Sequence, residues 1–128
     1  MSVFRMIIAA GVLAISLFAA EWKQAGVTSQ GNRVYIRDVK GRGENRSAWI
    51  RIEYKDPMKT ANGIVKSSRA RVRVNCTNRT AAADETIMYI DEAMNQIASQ
   101  RKLSNEPFTK EPAGSFGDVA VQAICASR

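Results

Sequence analysis

The sequence contains no histidine. That absence removes imidazole acid–base chemistry, Ser-His-Asp and Cys-His nucleophile systems, and most zinc sites. Cysteine occurs only twice, as Cys76 and Cys125. The pair lacks the Cys-x-x-Cys spacing of a redox site. Three prolines and eight glycines are too few for a collagen-like or Pro/Gly-rich disordered chain. Acidic residues are also scarce, 12 against 19 Lys and Arg, so the 128 residues carry a formal net charge of +7. The length allows one domain, or one domain and a short targeting segment. Nothing in the composition calls for a metal or cofactor, and no catalytic residue is indicated. The balance favours a small, basic, non-catalytic module.

The first twenty residues read as a secretory signal peptide. Arg5 is a short positive n-region, residues 7–18 carry no charge, and Ala19-Ala20 follows. Leu17 or Phe18 falls where cleavage prefers a small residue. The competing reading is an uncleaved anchor, the one way this chain would touch a membrane. The apolar run of residues 7–20 is short of the ~20 residues that span a bilayer. No cysteine follows the Ala pair, so a lipid anchor is not expected there. Residues 21–128 are then the folded domain. Arg5 is the only charge removed, which leaves +6. Export to an oxidising compartment favours a Cys76–Cys125 disulfide.

Much of the mature chain alternates with period two. Ala48, Ile50, Ile52 and Tyr54 share one strand face, and Trp49, Arg51 and Glu53 the other. In a second strand Ala70, Val72, Val74 and Cys76 face inward, and Arg69, Arg71, Arg73 and Asn75 outward. The segment 22–27, the turn signal Gly31-Asn32 and Val34-Tyr35-Ile36 read as a hairpin. Gly41-Arg42-Gly43-Glu44-Asn45 is a polar turn. Asp56-Pro57 and Asn62-Gly63 punctuate the connection that follows. Residues 86–101 fit either a helix, through Ile87, Ile90, Met94 and Ile97, or a strand–turn–strand. Near the end, Ser115 is an expected N-cap with Asp118 in the first helical turn. Val119, Ala120, Ala123 and Ile124 would face a sheet.

These features, taken in order, resemble the surface-adhesin protein E family. The resemblance rests on Trp22, on Val34-Tyr35-Ile36-Arg37-Asp38, and on Trp49. It continues through Val74-Asn75-Cys76-Thr77-Asn78-Arg79, Tyr89, and Pro112-x-Gly-Ser before a last helix and Cys125. Phe108 stands where a Trp is expected, and the lipid-anchor cysteine of lipoprotein members is absent. The resemblance implies an α+β fold: a small antiparallel β-sheet with a C-terminal α-helix packed on it and tied by one disulfide. It favours the strand–turn–strand reading of 86–101. It also implies a surface or envelope protein that binds other proteins and in some members dimerises.

The main candidate site is the basic strand face of Arg69, Arg71 and Arg73, with Arg51 and Trp49 on a neighbouring strand. Such a row suits phosphates, sulfated sugars or an acidic protein. The competing reading is a solvated sheet face. Nucleic acid is not expected as a partner, because in sequence the aromatics do not interleave with the arginines as stacking platforms require. Trp22, Tyr35, Trp49, Tyr54 and Tyr89 read as core or core-edge residues. Asp84-Glu85 and Asp91-Glu92 lack calcium-loop spacing and read as solvated turns. The expectation is a non-enzymatic, exported binding protein, periplasmic or at the cell surface. It would recognise a protein or anionic ligand and could form a homodimer. The alternative is a soluble periplasmic inhibitor or accessory protein.

Overall fold

The computed structural model describes residues 21–127, so the signal-peptide reading of 1–20 lies outside the described residues. Seven strands form one antiparallel sheet. They are β1 (Lys23–Val27), β2 (Arg33–Arg42), β3 (Asn45–Thr60), β4 (Gly63–Asn75), β5 (Thr80–Tyr89), β6 (Ile97–Lys102) and β7 (Thr109–Lys110). The order β1-β2-β3-β4-β5-β6 follows the sequence as a meander, and β7 adds to the start of β5. Among the described residues one helix, α1 (Phe116–Ala126), follows the strands.

Each hairpin follows from local chemistry. In the β1–β2 turn, the Thr28 amide donates to the Asn32 carbonyl, and Gly31 takes the positive φ (+88°) that the turn requires. Between β2 and β3 only Gly43 and Glu44 remain outside the strands. An extra residue in β2 makes a bulge between Arg37 and Lys40, with Asp38 left-handed at φ 56°.

The period-two assignment of the central strands holds. Val34, Ile36, Ala48, Ile50, Ala70, Val72 and Val74 form the core with Ala120, Val121 and Ile124 of α1. The structure resolves residues 86–101 as strand–turn–strand. Ile90 and Met94 are then turn residues, and Ile87 is buried in β5 while Ile97 is exposed in β6. A strand needs only alternate apolar positions, and here the cross-strand pairing Thr86–Arg101, Ile87–Gln100 and Met88–Ser99 decides the matter.

Three expectations are corrected. Asp56-Pro57 does not end a strand: β3 runs on to Thr60, and the dipeptide sits in a register irregularity between Glu53 and Met58. An irregular stretch tolerates a proline because no ladder amide is needed there. Asp84-Glu85 is no solvated turn. Both residues lie in β5, with Glu85 buried and Asp84 paired to Arg73. Third, the sheet-facing set of α1 includes Val121 as a fully packed residue, whereas Val119 and Ala123 are only partly buried.

The helix is fixed at both ends. The Ser115 hydroxyl accepts from the Asp118 amide as an N-cap. At the other end Cys125 is bonded to Cys76, just beyond β4, with Cα atoms 5.6 Å apart. Arg46 adds a second tie: its Nη1 donates to the Ile124 carbonyl at 3.0 Å and to the Ser127 carbonyl, and its Nε to the Gly43 carbonyl. The last helical turn contains no basic residue. Arg46 therefore supplies from β3 the cation that a helix C-terminus favours.

Candidate functional site: a cation–aromatic sheet face

The helix packs on one face of the sheet, so the opposite face presents the other half of every strand. In antiparallel pairing, residues directly opposite share a face. The register therefore builds two adjoining rows, one across six strands and one across five. One runs Gln24, Tyr35, Arg51, Arg69, Ile87 and Gln100. The next runs Arg37, Trp49, Arg71, Glu85 and Lys102. All five residues expected at the basic face thus share it, since Arg73 lies opposite Ser47 on the same side.

Placed like this, the arginines stack on aromatic rings. The Arg37 guanidinium carbon lies 4.3 Å from the Trp22 ring centre, and that of Arg51 5.5 Å from Tyr35. Trp49 receives two cations, Arg69 at 4.8 Å and Arg71 at 6.0 Å. Arg73 lies 5.1 Å from the Phe108 ring, the residue that stands where the resemblance led us to expect Trp. The expectation that aromatics and arginines do not interleave is therefore overturned. They are 15 to 35 residues apart along the chain, yet the fold interleaves them in space. A cation over an aromatic face is worth ~0.5–1 kcal/mol when exposed and ~2 kcal/mol when desolvated.

The face is consequently less solvated than alternation alone implies. Arg71 is exposed, but Arg69, Arg73, Arg51 and Trp49 are half-buried. The Nε atoms of Arg37, Arg51 and Arg69 are buried without a hydrogen-bond partner. Further along this face, Ser67, Ile87 and Tyr89 are buried. The β5–β6 turn reaches back to it: Ser67 Oγ donates to the Asp91 carbonyl, and Arg51 Nη2 donates to the Glu92 carbonyl at 2.7 Å. Asp91 organises that turn by accepting from the Asn95 and Gln96 amides, chiefly the latter, which holds its carboxyl below the usual range.

Charge is distributed unevenly. Glu53 accepts from Arg51 at 3.0 Å, lies 3.5 Å from Arg33, and accepts a hydrogen bond from the Tyr35 hydroxyl at 2.7 Å. That last bond, together with burial, pushes the Tyr35 hydroxyl above its ordinary value. Arg37 pairs with Asp38 and Arg73 with Asp84. Arg69 and Arg71 make no ion pair among the described residues. They flank one indole, so the face has a local centre: two guanidinium groups on Trp49 outside any ion pair, with the buried Glu85 opposite Arg71 on β5. No group of metal-ligating side chains occurs among the described residues.

The geometry defines a class: a disulfide-closed antiparallel meander with a helix on one face and a cation–aromatic surface on the other. The chain belongs to the surface-adhesin protein E family, whose description matches residues 22–126. The family name points to a surface or exported protein. No curated protein and no solved structure matches the chain. The fold expected from the resemblance, antiparallel sheet, C-terminal helix and Cys76–Cys125 disulfide, is the fold observed.

Proposed function

We propose that the protein is a non-enzymatic, exported binding protein whose Trp49-centred face takes an anionic partner: an acidic protein surface or a sulfated polysaccharide. The observation that carries this reading is the pair Arg69 and Arg71, stacked on one ring and without carboxylate partners among the described residues. Guanidinium groups held in place by a ring lose less freedom on binding than free side chains do, and their planar forks suit carboxylate or sulfate. The net charge of +6 that remains after loss of residues 1–20 would steer anionic partners toward the molecule at low ionic strength. The absence of histidine supports binding over catalysis. The apolar run in residues 1–20, preceded by Arg5, supports export.

Heparin, as a defined sulfated probe, tests the reading. The variant Arg69→Glu/Arg71→Glu is expected to elute from heparin at clearly lower salt, with a shallower salt dependence. Trp49→Leu, which keeps both charges but removes the platform, should give an intermediate loss. Lys23→Glu/Arg101→Glu makes the same charge change at exposed positions on the helix side of the sheet, opposite Ile36 and Thr86, and should elute close to the unaltered protein. Equal retention of the face and control variants, with melting unchanged, would refute the assignment.

A further inference from the structure

The helix is too small for the sheet it lies on. Eleven residues make about 16 Å of helix about 10 Å across. Six strands spaced by about 4.8 Å span roughly 24 Å. The helix packs mainly on β1, β2 and β3. On the same side, β4 and β5 continue apolar beyond it through Ala70, Val72 and Ala83. The uncovered stretch forms a cleft of about 380 Å³. Ile52, Tyr54, Met58, Met88, Phe116 and Val121 line it. Phe116 stands exposed beside it, and the two unbranched methionines can adapt to an irregular ligand.

Two charged residues border this cleft, Arg69 and Glu111. The Arg69 guanidinium is committed to the Trp49 ring on the other face of the sheet. Glu111 therefore supplies the charge. Its carboxyl rests against the start of α1, where Gly117 makes room for it: a Cβ there would lie 2.5 Å from Glu111 Cδ. Glu111 has no ion-pair partner among the described residues. Burial, and then the nearby Asp118 charge, push its carboxyl above the ordinary value. An apolar cleft with one unpaired carboxylate at its border is complementary to an apolar molecule bearing a cation.

We propose that this cleft binds a small cationic amphiphile, an apolar chain of about ten carbons whose ammonium group pairs with Glu111. The volume corresponds to roughly a dozen water-sized groups at ~30 Å³ each, close to the size of such a chain. The preference would run against the protein's net positive charge, which by itself favours anions. That opposition makes the proposal sharply testable.

The probes are decyltrimethylammonium, decanol and decanoate, each below its aggregation threshold. The readout is the NMR shift of ¹³C-labelled methionine methyls. Saturable shifts are expected at Met58 and Met88 but not at Met94, which lies in the β5–β6 turn outside the cleft lining. The ammonium probe should bind most tightly and decanoate least. Glu111→Gln should weaken the ammonium probe roughly two- to five-fold, the range of a partly exposed ion pair, and leave decanol unchanged. Ala83→Leu, which fills the cleft without altering charge, should weaken all three. If that variant fails to fold, the Glu111→Gln comparison still decides. The proposal is overturned by decanoate binding at Met58 and Met88 as tightly as the ammonium probe, by indifference to Glu111→Gln, or by no saturable shift.

Discussion

Replacing Arg46 with Met should detach the end of α1 from the sheet more effectively than any surface substitution. Methionine keeps most of the apolar stem and removes the guanidinium. Lost with it are the donations to the Ile124 and Ser127 carbonyls and the one to Gly43. A hydrogen bond from a charged donor contributes ~1.5–3 kcal/mol, and a cation at a helix C-terminus ~0.3–1 kcal/mol. Arg46 is only half-buried and one nitrogen serves both helix carbonyls. The lower part of that range applies, giving a net loss of about 2 kcal/mol. For a domain of this size the melting midpoint should fall by roughly 10 °C. Arg46→Lys keeps the charge but cannot reach three carbonyls with a planar fork, so its loss should lie between the two. The assay is a far-UV circular dichroism melt at neutral pH with the disulfide intact. A midpoint for Arg46→Met within about 1 °C of the unaltered protein would refute the reasoning, because one lost charge-assisted bond alone exceeds that shift.

Cys76→Ala/Cys125→Ala opens a loop 49 residues long and should cost about 4 kcal/mol on chain-entropy arithmetic, measurable by urea denaturation. Asp118 is held below the ordinary carboxylate value of 3.8, chiefly by the Gly114 amide and then by Gln122. Its folded value lies below the unfolded one, so its contribution is present above about pH 4 and is lost as pH falls through the folded value. Stability curves of Asp118→Asn and the unaltered protein should therefore converge in acid, and curves that stay parallel would contradict this. Ser115→Ala removes the N-cap acceptor and should cost about 1 kcal/mol by thermal melt. Gly41→Ala should cost more than about 1 kcal/mol, since φ is +88° and a Cβ would sit 2.4 Å from the Asn45 carbonyl oxygen.

The sequence by itself determined the local rules of this domain. Alternation along 48–54 and 69–76 assigned the two faces of the central strands, because successive strand side chains point to opposite sides. Ser115 and Asp118 marked the helix start, and the in-phase position of Cys76 fitted the disulfide that is observed. Tertiary structure decided what depends on partners distant in the chain. Residues 86–101 carry apolar positions compatible with both periods, and only pairing of β5 with β4 and β6 selects the strand. Glu85 looked solvated because its burial arises from neighbours on β4 and β6. Arg46 showed no signal, since its partners, the Ile124 and Ser127 carbonyls, lie about eighty residues away. The five expected site residues were legible as a face, but their stacking was not. Register alone sets Trp49 between Arg37 on one neighbouring strand and Arg71 on the other, and so turns scattered arginines and aromatics into one surface.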